Sequence, residues 1–159
     1  MDSAYYEEKK EKARQIYDAH RSMYSPYFKD GITLNSDGFH HLRYSARRER
    51  NKEEQILKFT LLPLGLQILK TATTVQEYRK LLMPVGEKAR RDGAVAMKLV
   101  EWWGFVAILT NVTRDIKVRV IVRKVGDGNL HFWSVMPYSK LRRGEGIHQK
   151  MYTGGIEDE

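Results

Sequence analysis

The sequence predicts an α+β fold, with N-terminal helices packed on one face of an antiparallel sheet. Three observations carry this reading. Helix-like apolar spacing is confined to the first half of the chain. β-Branched and aromatic residues dominate positions 95–110. Positions 117–136 alternate like two strands joined by a tight turn. Helices and antiparallel strands segregated in this way pack as two layers. At 159 residues the chain is long enough for one substantial core, and 42% hydrophobic with 30% charged residues describes a globular chain. Residues 1–138 are expected to form a single domain, with 1–30 as a helical extension. Residues 139–159 contain four glycines and few apolar positions, and are expected to be a flexible tail.

The elements follow in order. Residues 4–24 read as a mixed-charge helix with a weak stripe of Tyr5, Tyr6, Ala13, Ile16, Tyr17 and His20. Pro26 ends it, Asp30-Gly31 makes a turn, and residues 32–34 form a short strand. Asn35-Ser36-Asp37-Gly38 is a turn cluster. An extended segment over 39–44 would put Phe39, His41 and Arg43 on one face and His40, Leu42 and Tyr44 on the other. Residues 51–70 form a helix capped by Asn51, with Glu53 and Glu54 in its first turn. Pro63 should break or kink it, leaving 64–70 as a second piece. Thr73 or Thr74 caps another helix reaching Leu82, with Val75, Tyr78, Leu81 and Leu82 on one side. Residues 84–93 are a polar connector. The strand at 95–110 contains Gly104 as a bulge or break, and 111–115 turn the chain.

The hairpin at 117–136 is the most informative stretch. A two-residue Asp127-Gly128 turn of type I′ pairs Val125 with Leu130, Arg123 with Phe132, Ile121 with Ser134 and Arg119 with Met136. Val118, Val120, Val122, Trp133 and Val135 then form a core face. Arg119, Ile121, Arg123, Phe132, Ser134 and Met136 share the other face. Two arginines there call for an anion such as a phosphate, or else dress an exposed sheet face.

Charge narrows the partners. Lys and Arg number 28 against 20 Asp and Glu, a formal net charge of +8, with a pI near 9.6. That favours a polyanionic partner such as nucleic acid, an acidic protein or a membrane surface. The chain has no cysteine, so thiolate metal sites, disulfides and cysteine nucleophiles are excluded. Met1-Asp-Ser-Ala-Tyr-Tyr is too polar for a secretory signal. The apolar runs at 59–69 and 102–109 are too short to span a bilayer. A soluble, cytoplasmic protein with no membrane partner is expected.

Three constellations offer chemistry. His41 beside Arg43 pairs a proton-transfer group with a phosphate ligand. Arg119, Arg123 and Ser134 form the second. Arg47-Arg48-Glu49-Arg50, with Lys52, can follow a nucleic-acid backbone, although Glu49, Glu53 and Glu54 partly neutralise it. Trp102, Trp103 and Phe105 suit base stacking or, more simply, a core. His40-His41 alone is a poor metal motif, and His20, His131 and His148 have no ligand spacing. No metal site and no cofactor are expected. There is no phosphate-binding Gly-rich loop, no Gly-x-Ser-x-Gly and no helical His-Glu-x-x-His.

The order of motifs resembles a known family. Phe39-His-His-Leu-Arg is followed by the basic segment and by Glu54-Gln-Ile-Leu-Lys-Phe-Thr-Leu-Leu-Pro. Then come Trp102-Trp-Gly-Phe, Ile116-Lys-Val-Arg-Val-Ile-Val-Arg and His131-Phe-Trp-Ser-Val-Met. This looks like the phage- and mobile-element-associated barnase/EndoU/colicin/RelE-like nuclease domains, over residues 32–138. The resemblance implies N-terminal helices packed on a roughly four-stranded antiparallel sheet, and metal-independent RNA cleavage, often by a toxin held by an antitoxin or immunity protein. It places the early histidine at His41, the strand arginines at Arg119 and Arg123, and the last-strand hydroxyl at Ser134. His40 competes with His41 for the first role.

The implied chemistry is attack by the RNA 2′-hydroxyl to give a cyclic phosphate. His41 acts as base or acid, Arg119 and Arg123 hold phosphate oxygens, and Ser134 orients a hydroxyl. Tyr44 or Tyr138 is available for the second proton transfer. Arg43, Arg47, Arg48 and Lys117 would bind the RNA, whether tRNA or mRNA. Two other readings stay open: a non-catalytic nucleic-acid-binding module of a phage or mobile element, and a small interaction protein with an acidic partner.

Overall fold

A computed structural model describes residues 2–45, 47–85, 96–110, 115–138 and 156. The element order is α1 (Ser3–Ala19), β1 (Ser22–Ser25), β2 (Asp30–Thr33), α2 (Ser36–Arg43), α3 (Lys52–Thr71), β3 (Glu77–Val85), β4 (Ala96–Thr110), β5 (Asp115–Val125) and β6 (His131–Pro137). The α+β class holds. The sheet has six strands rather than four, in the order β1-β2-β6-β5-β4-β3. All neighbours are antiparallel except β2 and β6, which meet in parallel at Thr33 and His131.

The extra strands come from segments with ambiguous local signals. Residues 22–25 lie in β1, not at the end of a longer α1. Residues 77–85 form an edge strand, not a helix. There Leu81, Met83 and Val85 point to one side with strand period, while Leu82 stands out at 61% exposed. Pro84 would also disrupt a helix through this stretch. The connector at 84–93 and the turn at 111–115 fall largely outside the described residues.

Two capping residues define the other helices. Asn35 accepts from Gly38 N at 2.9 Å and starts α2, so the turn-like cluster is a helix cap and 39–43 are helical, not extended. Asn51 accepts from Glu54 N at 2.8 Å and starts α3 as expected. Pro63 lies inside α3 without dividing it. Pro63 itself is exposed while Leu61, Leu62, Gly65 and Leu66 are buried, and this packing holds the helix together across the lost bond.

The main core lies between the helices and one sheet face. It joins Tyr6, Ala13 and Tyr17 of α1, Phe39 and Leu42 of α2, and Phe59, Leu62 and Leu66 of α3. Val118, Val120, Val122, Phe132 and Val135 meet them from the sheet. The opposite face is a second small core of Val100, Trp102, Ile121, Met136 and Ile156. Ile156 is the one described residue of the expected tail, and it is buried; the rest of 139–159 lies outside the described residues.

The hairpin register holds in part. Arg119 pairs with Met136 and Ile121 with Ser134, as the alternation requires. Beyond a bulge the pairs become Val122 with Phe132 and Arg123 with His131. The turn is closed by Gly128 N donating to Val125 O at 2.9 Å. Gly126, not Gly128, takes the positive φ of 53°. The bulge exchanges two side chains between faces: Phe132 enters the helix-side core and Trp133 leaves it for the opposite side.

A candidate anion site at the rim of the last strand

Beyond the single pair with β2, the outer edge of β6 is covered by α2 and α3. Gly38 permits the close approach of α2. A Cβ there would lie 2.4 Å from the carbonyl oxygen of Phe132. Within α2 the side chains of Gly38, His41 and Leu42 are buried, a helical stripe that sends His41 toward β6. His40 lies outside this stripe, exposed, stacked on Tyr44 at 4.4 Å between centroids.

His41 is 5% exposed. Its ring stacks on Trp133 with centroids 4.0 Å apart. The guanidinium of Arg123 lies 4.0 Å from the same ring's centroid. His41 and Arg123 thus each pack on an indole that simple alternation assigns to the core. Arg123 Nε is buried with no hydrogen-bond partner among the described residues. Burial pushes this guanidinium below the usual arginine value, with Asp37 opposing.

Arg50 completes the surround. Its Nε donates to the carbonyl of His41 at 3.1 Å, and Nη2 lies 3.3 Å from His41 Nε2. Glu54 sits 3.8 Å from Arg50 Nη1. Arg50 falls in the basic run read from the sequence, but its burial does not follow from that run.

Ser134 is wholly buried and meets a residue that sequence reasoning missed. Lys58 Nζ donates to Ser134 Oγ at 2.9 Å and to the carbonyl of Val135 at 3.0 Å. That lysine caps an edge-strand carbonyl that has no strand beside it. The signal was present: Lys58 sits on the same helical stripe as Gln55, Leu62 and Gly65, where a charge needs a partner.

Arg119 is placed differently from the expectation. It is 2% exposed, on the second core face. Its Nη1 lies 3.3 Å from both Glu77 carboxylate oxygens, and its Nε 3.1 Å from Met136 Sδ. Gly104 is not a bulge; it pairs regularly with Glu77 and Ile121. Its missing side chain leaves room for Glu77, since a Cβ would lie 2.9 Å from Glu77 Oε1. The face expected to present two arginines is a buried core face, and Arg119 is engaged there by a carboxylate.

Of the four expected RNA-binding cations, Arg43, Arg47 and Arg48 lie at the end of α2 and in the segment before α3, and Lys117 lies on β5. Arg43 is 3.9 Å from Glu49, and Arg48 is 3.4 Å from Glu54. Arg47 is exposed, and Lys117 lies 5.3 Å from the ring of Tyr138. Trp102 and Phe105 are core residues, and Trp103 packs partly buried against the main core. Among the described residues, no group of three or more His, Asp or Glu is placed to hold a metal ion. No described helix is long and apolar enough to cross a membrane.

Comparison of the chain with protein-family models, curated proteins and solved structures finds no match.

Proposed function

We propose that the chain is a metal-independent endoribonuclease of toxin type, acting in the cytoplasm on RNA and held in check by an antitoxin or immunity protein. The observation that carries the reading is the packing of both His41 and Arg123 on the indole of Trp133. One is a proton-transfer group, and the other a guanidinium whose Nε has no internal acceptor among the described residues. A phosphodiester supplies the acceptor, and Arg–phosphate contacts are strong and directional. Arg50 and Lys58 add positive charge beside His41 and Ser134. Arg123 suits the phosphate contact better than Arg119, which Glu77 engages.

Chemically, the RNA 2′-hydroxyl attacks the adjacent phosphorus and the 5′-oxygen leaves. Arg123 offsets the charge gathering on the non-bridging oxygens. His41 carries one of the two proton transfers. Resemblance of the sequence motifs to the barnase/EndoU/colicin/RelE-like domains supports the same reading. A second reading, a non-catalytic nucleic-acid-binding module of a mobile element, is favoured by one contact: His41 Nε2 faces Arg50 rather than open space.

Incubation of the purified protein with total RNA in EDTA separates the two. Cleavage leaving 2′,3′-cyclic phosphate or 3′-phosphate ends supports the nuclease. Tight binding without cleavage supports the module. Strict dependence on a divalent ion, with 5′-phosphate ends, rejects the mechanism.

A further inference from the structure

Buried hydrogen-bond donors are seldom left without an acceptor. Among the described residues three buried side-chain nitrogens have none: Arg43 Nε, Trp102 Nε1 and Arg123 Nε. Two of the three belong to one cross-strand pair, because Trp102 lies opposite Arg123 in the β4–β5 ladder. We infer that Trp102 and Arg123 form an oxyanion site on the sheet face opposite the helices, the indole N–H and the guanidinium donating to one phosphate group. The inference deepens the reading of Arg123 as a phosphate ligand and rests on it.

The register sets the two donors side by side. Residues directly opposite in an antiparallel pair share a face, with Cβ atoms about 4.5–5.5 Å apart. Trp102 is 2% exposed and belongs to the second core. On its other side Trp102 faces Arg79 of β3. Arg79 has the strand parity of Leu81, Met83 and Val85, which pack against that same core. One row across three strands therefore reads Arg79, Trp102, Arg123.

The chemistry of the row selects a negative acceptor. An indole N–H and a guanidinium only donate. Arg123 lies over the ring of Trp133, a contact that uses the face of the guanidinium and leaves its N–H edge for hydrogen bonds. Among the described residues Arg123 has no ion pair, whereas Arg119, on the same face, has Glu77. A buried cation without a counter-charge is costly, and an oxyanion supplies one.

The surrounding charge favours a phosphate of a polyanion. Alternation puts Lys98 and Lys117 on this face as well, so five cations stand there against the carboxylates of Glu77 and Asp115. A single carboxylate leaves most of that charge unanswered, and a nucleic-acid backbone does not. The competing oxyanions are the chain's own. Ile156 packs in the same cluster as Trp102, and Glu157, Asp158 and Glu159 follow it in the sequence.

The test reads the indole N–H directly, by ¹H–¹⁵N NMR of the full chain with the Trp102 signal assigned by triple resonance. The probes are inorganic phosphate and a 2′-O-methyl RNA oligonucleotide, which offers no 2′-hydroxyl for cleavage. Each should shift the Trp102 indole proton downfield and saturably, and Arg123→Gln should abolish the shift. Trp102→Phe keeps an aromatic ring and removes the donor. It should bind the oligonucleotide roughly 10–100-fold more weakly, the worth of a hydrogen bond to a charged group, with the salt dependence of affinity unchanged. Arg123→Gln should weaken binding too, and should lower the salt slope by about 0.7.

An indole signal that stays put while the oligonucleotide saturates the protein overturns the inference, as does wild-type affinity in Trp102→Phe. If that variant does not fold, the wild-type titration decides. A signal that moves in the triple variant Glu157→Gln, Asp158→Asn, Glu159→Gln but not with either probe assigns the donors to the chain's own carboxylates, and overturns the phosphate assignment. Cleavage is scored separately. A wild type that shifts the Trp102 signal but never cuts RNA removes the nuclease reading and keeps the site. RNA cut by a protein whose indole signal ignores both probes removes the site alone.

Discussion

The imidazole of His41 stacks on the indole of Trp133, with ring centroids 4.0 Å apart and planes 17° from parallel. This contact seats α2 against β6 and puts His41 on the same indole that Arg123 and His131 touch. Two backbone features make it possible: the bulge that turns Trp133 out of the helix-side core, and the absence of a side chain at Gly38.

Gly38→Ala should therefore displace α2. The added methyl group meets the Phe132 carbonyl and the Tyr17 hydroxyl, both at 2.4 Å. Overpacking of this kind costs about 1–3 kcal/mol. Denaturant unfolding should report that loss, and turnover should fall with it because His41 moves. An unchanged midpoint and unchanged turnover would show that the helix approach is looser than described.

Arg119 and Arg123 should separate in their effects. Arg123→Ala should weaken both RNA binding and turnover while changing stability little. Glu77→Ala should leave the Arg119 guanidinium buried without its carboxylate. Breaking a buried pair costs about 3 kcal/mol at the lower end, and Glu77 still reaches solvent, so the loss belongs at or below that value. RNA affinity, measured at fixed salt, should stay near wild type. A selective loss of affinity in Glu77→Ala would return Arg119 to the binding site.

Lys58→Met should destabilise by about 1–3 kcal/mol, because Ser134 Oγ and the Val135 carbonyl each lose a donor in a dry setting. Ser134→Ala should cost less, since Lys58 keeps the carbonyl. Equal losses in the two variants, read from chemical denaturation, would mean that the hydroxyl and not the strand-edge carbonyl is the important partner.

Stability should also depend on pH through His131. Its folded pKa lies below the unfolded value near 6.5. Between the two, the unfolded chain binds more protons, so stability rises with pH across that window and is fully present above it. Unfolding free energies measured on both sides of 6.5 should fall on the acid side in wild type. His131→Gln should flatten that slope. An equal slope in the variant would assign the effect to other groups.

Much of the fold is legible in the sequence, because caps and alternation are local signals. Asn51 with Glu54 marks α3, and Val118, Val120 and Val122 mark a core strand. A helix reaching Leu82 is suggested by the Thr73 or Thr74 cap and the spacing of Val75, Tyr78, Leu81 and Leu82; only the edge pairing with β4 shows the strand period of β3. The sequence suits an extended 39–44 as well as the helix α2, because Asn35-Ser-Asp-Gly serves equally as turn or cap.

The site was less legible than the fold. His41 and Arg123 each pack on Trp133, which simple alternation assigns to the core. A bulge shifts faces without a sequence signature of its own. Arg50, Lys58 and His131 depend on long-range packing, so their partners do not follow from spacing. The second apolar face, which buries Arg119, includes Ile156 from far along the chain.

Single-turnover cleavage of one RNA in EDTA, by wild type, His41→Ala and His40→Ala, tests the central claim most directly. Wild type should leave cyclic-phosphate ends. His41→Ala should be slower by roughly 10²–10⁴-fold or more with RNA affinity nearly intact, since a proton-transfer group acts mainly in the transition state. His40→Ala, outside the site, should cost much less. A fully active His41→Ala protein, or a wild type that binds RNA tightly without cutting it, would contradict the account.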